Sequence, residues 1–384
     1  MIKLNKLRAL ETRETVRPMN YFCRALIAIV ALPFLAAVGH SASAPTPEEI
    51  WKSLEKLPPA EREKKLIEGA KKEGEMLWYT NSGIENATRY TQAFKKNYPF
   101  INAQVWRAKT RQVTQRALQE AAAGKHFVDI IKPSTDLLPV MLDKNLIGKY
   151  ETPGRAIYPA IAKSPFYTSI NYAFRVFAFN PRKVNAKDAP KSWEDLLQPK
   201  WKNEILFDES SLEEVMALLG AWGRDRTVNY LNKLTQQNLL IRVGRDTTTQ
   251  MMMAGEGNLA VTTYAYNNES LKAASAPVDW VAEDLIPTLI YPLTMARNAP
   301  HPHAAALFYD FMISEEGQRL IAKEGRVVAH PRVEPIYPRM KELQNLLGTP
   351  RIQLNTLEQN AKLLKDGVQI LDEIVLKRKS SGHH

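Results

Sequence analysis

Ser192-Trp193-Glu194-Asp195-Leu196-Leu197-Gln198-Pro199-Lys200-Trp201-Lys202 decides the reading of this chain, together with Tyr291-Pro292-Leu293-Thr294 nearer its end. The first run predicts a short helix stopped by Pro199, with a tryptophan on each side, leading into the strand Glu204–Phe207. Outward from it, the same alternation recurs. Strands are expected at Met76–Tyr79, Ala103–Trp106, Phe127–Ile131, Leu259–Thr262 and Val278–Val281. Amphipathic helices are expected at Ile84–Asn97, Thr110–Ala123, Thr135–Asp143, Ser210–Trp222 and Arg226–Gln236. Short apolar strands alternating with helices indicate βαβ units and a mostly parallel sheet. Asn171–Asn180 and Leu289–Ala296 read as longer strands that carry the chain out of one lobe and back.

The first 44 residues predict a compartment. Leu26 to Val38 is one apolar run, with Arg24 and other basic residues before it and small residues after it. That order describes a secretory signal, and the run, interrupted by Pro33, is short for a membrane span. The sole cysteine, Cys23, precedes the run, so the exported chain would hold none. Disulfides, thiol catalysis and cysteine-held metal are thereby excluded from it. Residues 1–44 carry six basic and two acidic residues of a chain whose formal charge is +11, which leaves +7 on the remainder. A basic surface suits anionic partners. Export, and the lack of a basic stripe interleaved with aromatics, argue against nucleic acid.

The Ser192–Lys202 run resembles the solute-binding proteins of bacterial ABC importers, in the branch that includes the ferric-iron-binding proteins. The resemblance extends over roughly Glu68 to Glu334. It implies an α/β, two-lobed type 2 periplasmic-binding fold with a cleft between the lobes. The corresponding division is a signal peptide (1–44), an N-terminal helical segment (45–74), lobe 1 (75–172 and 289–330), lobe 2 (173–288) and a C-terminal helical segment (331–384). It also implies a monomer in the periplasm that serves the permease and ATPase subunits of an importer.

Parallel sheets offer ligand sites at the carboxyl ends of their strands, where helix N-termini favour anions. The turns at those ends supply the expected ligand-binding residues: Thr80, Asn81 and Ser82; Arg107 and Arg111; Ser134 and Thr135; Ser210 and Ser211; Arg245 and Thr247; Tyr264 and Tyr266. Singly, such Ser, Thr and Asn residues are ordinary helix caps. Collectively they point to one polar cleft, with a guanidinium as bidentate clamp for carboxylate or phosphate. The expected cargo is therefore a small organic anion, such as a carboxylate, phosphonate or phosphate ester, with no cofactor. In the ferric-iron binders, the segment around Tyr264-Ala265-Tyr266 carries two adjacent tyrosines. Anchored on Gly255-Glu256, Tyr266 falls on the second and Ala265 on the first. The turns that hold His and Glu ligands in those proteins here offer Asn81, Ser82, Ser134 and Thr135. Fe3+ on Tyr264 and Tyr266 is thus the alternative cargo. A secreted enzyme on the same fold would need a nucleophile with a base, or paired carboxylates. The turns offer only Asp208, Glu209 and Asp246 as acids, and no G-x-S-x-G is present.

Expression with its own N-terminal segment should deliver the shortened chain to the periplasm. Cell fractionation that finds the intact precursor in the inner membrane would contradict the signal-peptide reading.

Overall fold

The computed structural model describes residues 44–133, 135 and 137–377. The expected signal segment (1–44) lies outside the described residues up to residue 43, as do Ser134, Asp136 and the last seven residues. Among the described residues, no helix is long and apolar enough to cross a membrane.

Thr46 opens α1 (Pro47–Leu54) with a capping box closed by Glu49. The helix α2 (Pro59–Glu73) ends on Gly74, whose φ of 72° is the left-handed conformation of a helix C-cap. Then β1 (Glu75–Thr80), α3 (Ile84–Asn97), β2 (Asn102–Arg107) and α4 (Thr110–Ala122) follow as the hydrophobic pattern predicts. The third strand shrinks to β3 (Ile130–Ile131), and α5 begins late (Leu138–Asp143). Phe127, expected in that strand, is exposed. After β4 (Lys163–Ser164) comes β5 (Tyr167–Phe179), thirteen residues that are all buried.

The Ser192–Lys202 run forms two 3-10 turns, Glu194–Leu197 and Pro199–Trp201, where one helix was expected. The Asp195 carboxylate accepts the backbone N–H of Lys191 and of Ser192, and Pro199 prevents continuation. The run's purpose is to seat Trp193. Its ring lies edge-on to Phe177, Trp222 and Tyr230, and its Nε1 donates to the Leu285 carbonyl at 2.8 Å.

The second half contains β6 (Ile205–Asp208), α6 (Leu212–Trp222), α7 (Arg224–Thr235), β7 (Leu240–Arg242), α8 (Arg245–Ala254), β8 (Leu259–Tyr264), α9 (Ala265–Ala273), β9 (Asp279–Val281) and β10 (Ile286–Met295). α10 (Pro302–Ile313), α11 (Glu315–Ala322), β11 (Val327–Val328), α12 (Pro338–Asn345), β12 (Ile352–Gln353) and α13 (Leu357–Ile370) complete it.

Strand order is β2-β1-β3-β10-β5-β8-β6-β7, with β4, β9 and β11 also on β5 and β12 on β10. The flanks β2-β1-β3 and β8-β6-β7 are parallel, while β10 runs antiparallel to β3 and β5, and β5 antiparallel to β8. The expected parallel order thus holds on the flanks, and the centre is antiparallel. There β5 pairs with β10 through Thr168–Phe174 and with β8 through Arg175–Phe179. Two apolar clusters form. One holds Trp78, Phe94, Phe308 and their neighbours, and the other gathers around Trp193, Phe207 and Leu231.

Trp193→Ala removes a fully buried indole of the second cluster and the donor to the Leu285 carbonyl. It should cost about 3–5 kcal/mol in denaturant unfolding.

Candidate functional site

A cleft of about 310 Å3 opens where the parallel flanks meet the crossing strands. Its walls come from the first turn of α4 (Lys109, Thr110, Arg111, Gln112), from Thr135, and from Ser210, Leu212 and Glu213 at the start of α6. Arg245, the first residue of α8, and Tyr264, the last of β8, add to the same wall. Arg175 and Tyr291, from the middle of β5 and β10, complete it. A shallower hollow at the rim is lined by Thr247, Asp246, Val243 and Lys109.

Of the residues expected from sequence, Arg111, Thr135, Ser210, Arg245 and Tyr264 line this cleft, and Thr247 lines the rim hollow. The other described ones are turned to local tasks. The Thr80 hydroxyl accepts the backbone N–H of Ser82 at 3.1 Å, and Asn81 donates to the Thr110 hydroxyl at 2.7 Å. Ser82 accepts from the Lys132 ammonium at 3.1 Å. Ser211 is buried against the Thr262 hydroxyl at 3.0 Å. Arg107, at the end of β2, is exposed and does not line the cleft. Tyr266 lies in α9 behind Tyr264, their ring centroids 5.2 Å apart. Arg245 and Thr247, expected in a turn ahead of the helix, sit inside the first turn of α8, which starts directly after Gly244 with its φ of 96°.

The charges of the cleft are organised around Glu214, a fully buried carboxylate on α6. It accepts from Arg175 Nε at 2.6 Å and from Arg245 Nη2 at 2.7 and 2.8 Å. Asp208 lies 3.3 Å from Arg245 Nη1, and Glu213 lies 3.3 Å from Arg175 Nη2. Burial works against the charge of both arginines. For Arg245 the surrounding Glu214, Tyr264 and Glu213 together outweigh it, and for Arg175 Tyr264, Glu214, Tyr291 and Glu213 together do, so both guanidinium pKa values stand above their ordinary value. One donor is left over: Arg175 Nη1 is buried with no hydrogen-bond partner. A buried unpaired donor on a cleft-lining guanidinium is costly unless a ligand oxygen meets it.

Three tyrosines form the other half of the site. Tyr264 and Tyr291 bring their hydroxyls to 3.5 Å, and Tyr266 stacks against Tyr264. Each ring carries its own cation: Arg175 at 4.1 Å from Tyr264, Arg326 at 4.1 Å from Tyr266, and Lys132 at 4.8 Å from Tyr291. Burial raises the phenol pKa of Tyr291 well above the ordinary value, with Tyr264 adding to it and Arg175 opposing. Burial raises that of Tyr266 too, against the pull of Arg326. Burial, and then Arg326, press the Lys132 ammonium well below its usual range.

Two details of backbone aim these groups. Pairing of β5 with β10 shifts register between Ile290 and Pro292, because proline has no N–H to give the ladder. The bulge falls on Tyr291, and a bulge re-aims a side chain. Thr262 holds φ of 63° within β8, a strained state for a β-branched residue. Its carbonyl accepts from Arg245 Nε at 3.2 Å and its hydroxyl meets Ser211.

Sequence reading passed over Arg175 and Tyr291 because both sit inside strands read as apolar connectors. A signal was present: one arginine amid the Tyr172–Phe179 apolar run demands buried partners. His301 and His303 are held by Asp129 at 3.0 Å and Glu73 at 2.6 Å. Among the described residues, no group of three His, Cys, Asp or Glu side chains is disposed to hold a metal.

Comparison with known proteins agrees with this architecture. Over 167 residues the chain is 23% identical to iron uptake protein A1 of Synechocystis, a match spanning 39% of this chain and 46% of that one. Iron-bound HitA from Pseudomonas aeruginosa superposes with a TM-score of 0.66 at 20% identity, over 78% of this chain and 99% of that one. The apo ferric ion-binding protein A of Pasteurella haemolytica gives 0.68 at 16% identity, over 80% and 100%. These are two-lobed periplasmic binding proteins, and the likeness carries the fold. Residues 127–346 match the bacterial extracellular solute-binding protein family, more than half of the chain. The protein is therefore a member of the bacterial extracellular solute-binding protein family, a ligand-binding component of ABC transport and not an enzyme.

Proposed function

We propose that the chain captures ferric iron as a chelate with a small oxyanion and presents it to the permease and ATPase of an ABC importer. The observation that carries this reading is the meeting of the Tyr264 and Tyr291 hydroxyls, 3.5 Å apart, on the wall of a cleft lined by cations. Ferric iron is a hard, highly charged ion and takes anionic oxygen donors. The Tyr264 and Tyr291 oxygens would supply them on giving up their protons to the metal, with the Arg175 guanidinium 4.1 Å from the Tyr264 ring as a nearby positive charge. The unpartnered Arg175 Nη1, with Lys109 and Arg111 on the opposite wall, suits the oxygens of the chelating anion.

This reading prefers the alternative cargo weighed from sequence, Fe3+, to the iron-free organic anion. An iron-free organic anion rested on free arginine clamps, and Arg245 is already held by Glu214 and Asp208. The iron carried by the similar proteins named above also supports the alternative. Within the tyrosine set, Tyr291 replaces Tyr266 as the partner of Tyr264, and Tyr266 backs Tyr264 from behind. The iron-free anion remains the second reading, favoured by Arg175 Nη1 alone.

In the same proposal, lobe 1 comprises residues 75–172 and 289–330 and lobe 2 residues 173–288, with β5 and β10 as the hinge. The mature protein acts as a periplasmic monomer.

Dialysed protein titrated with ferric citrate should develop a visible phenolate-to-iron absorption band. Tyr264→Phe and Tyr291→Phe should each remove the band and weaken binding about 100-fold, or ~2.7 kcal/mol. Tyr266→Phe should retain most of it. A colourless protein whose melting temperature rises with an iron-free carboxylate or phosphonate, and not with the chelate, would replace the iron reading with the second one.

Arg245→Ala separates structure from binding. Loss of a buried partner leaves Glu214 and Asp208 undercompensated, so unfolding free energy should fall by about 3 kcal/mol. Urea denaturation monitored by tryptophan fluorescence measures it. An unchanged midpoint would show that the arginine is free to serve the ligand.

A further inference from the structure

We infer that the C-terminal segment from Leu346 to Lys377 is a strut laid across the hinge, which holds the empty cleft narrow and limits how far the lobes separate. The segment touches both flanks and the crossing strand between them. Its β12 pairs with the start of β10, Ile286 against Ile352 and Pro287 against Gln353. Just before it, Arg351 Nη2 donates to the carbonyls of Ala282 and Glu283, both at 2.8 Å. Just after it, Asn355 donates to the Met216 carbonyl of α6 at 2.9 Å.

The helix that follows spans the gap. α13 packs against α6 on one flank and α5 on the other. Its first residue, Leu357, packs on the apolar cluster that includes Leu138 and Met141 of α5. Its far end, Ile370, and the wide turn after it, through Leu371 and Val375, are buried in the cluster around Trp193. Gly367 lets α13 approach α6 closely, because a Cβ there would stand 2.7 Å from Met216 Cγ. One rigid helix thus packs on a helix of each flank, α5 and α6. Rotation about β5 and β10 that separates α5 from α6 must strip one end of α13 from its seat, exposing apolar surface.

The strut also backs the cleft. A small cavity beneath it is lined by Thr135, Glu213, Thr288, Asn355 and Asn360. Thr135 and Glu213 line the binding cleft as well, from opposite flanks. Spacing of those two walls is therefore read directly by the strut. An empty binding protein held near its working geometry gives up less ordering entropy when cargo arrives.

The inference rests on the two-lobed reading of the binding cleft but not on the nature of the cargo, so its test begins with empty protein. Small-angle scattering of the mature chain should give a larger radius of gyration for Leu357→Asp, which releases the α5 end, and for Gly367→Leu, which pries α13 from α6. Ferric citrate should then shrink the variants more than the unaltered protein. Folded variants with the unaltered radius when empty would overturn the strut, whatever the cargo proves to be. Hydrogen exchange on the unaltered protein gives a reading that needs no variant. Amides in the first two turns of α13 should be as protected without cargo as with it, and protection gained only on loading would equally overturn the proposal.

Discussion

Everything in this fold hangs on the pairing of β5 with β10. These two strands run antiparallel through Thr168–Phe174 and Thr288–Leu293, and each then leaves the other to join a different flank. Beyond that stretch β5 pairs with β8, and β10 pairs with β3. Two parallel units are thereby joined by shared backbone, and by the larger apolar cluster, which takes Trp78 and Leu138 from one side and Leu206, Met252 and Ala260 from the other. In a strand buried on both faces an unpaired charge is costly. That cost explains why the one arginine within β5 meets two carboxylates of α6.

The binding cleft follows from this arrangement. Carboxyl ends of parallel strands bring α4 and α6 N-termini to one place, and the crossing strands contribute its floor. The Glu214 carboxylate, shared by Arg175 and Arg245, locks α6, β5 and α8 into one electrostatic unit. Breaking such a unit is expensive because a buried charge is left behind, whereas its net contribution to stability is modest. Its value lies in aim. With two guanidinium groups fixed, Tyr264 is wedged between cations, and the remaining free nitrogen of Arg175 is presented without a partner. A site of this kind is preorganised for anionic oxygen, whether it arrives on a metal chelate or comes from the phenols themselves.

Strain is concentrated where the site is built. Thr262 takes a backbone conformation that β-branched residues avoid, and Pro292 forces a bulge at Tyr291. Both distortions lie next to the tyrosine pair. The ladder pairing on either side holds them in place.

The sequence by itself determined the alternation of strands and helices, the two long crossing strands and the family. These are local signals: hydrophobic period, capping chemistry and proline position act within a few residues of each other. It also determined that helix N-termini and polar turns would gather at strand ends, and Arg111, Thr135, Ser210, Arg245 and Tyr264 do line the cleft. Only the tertiary structure decided what each polar side chain faces. Thr80, Ser82 and Ser211 look the same in sequence as residues that bind ligands, yet their partners are Ser82 N–H, Lys132 and Thr262. Arg175 and Tyr291 look like strand interior, yet they form the floor, because a bulge and a buried carboxylate from a distant helix set their direction. Contacts between residues dozens of positions apart depend on how the flanks meet, and no period or spacing along the chain encodes that.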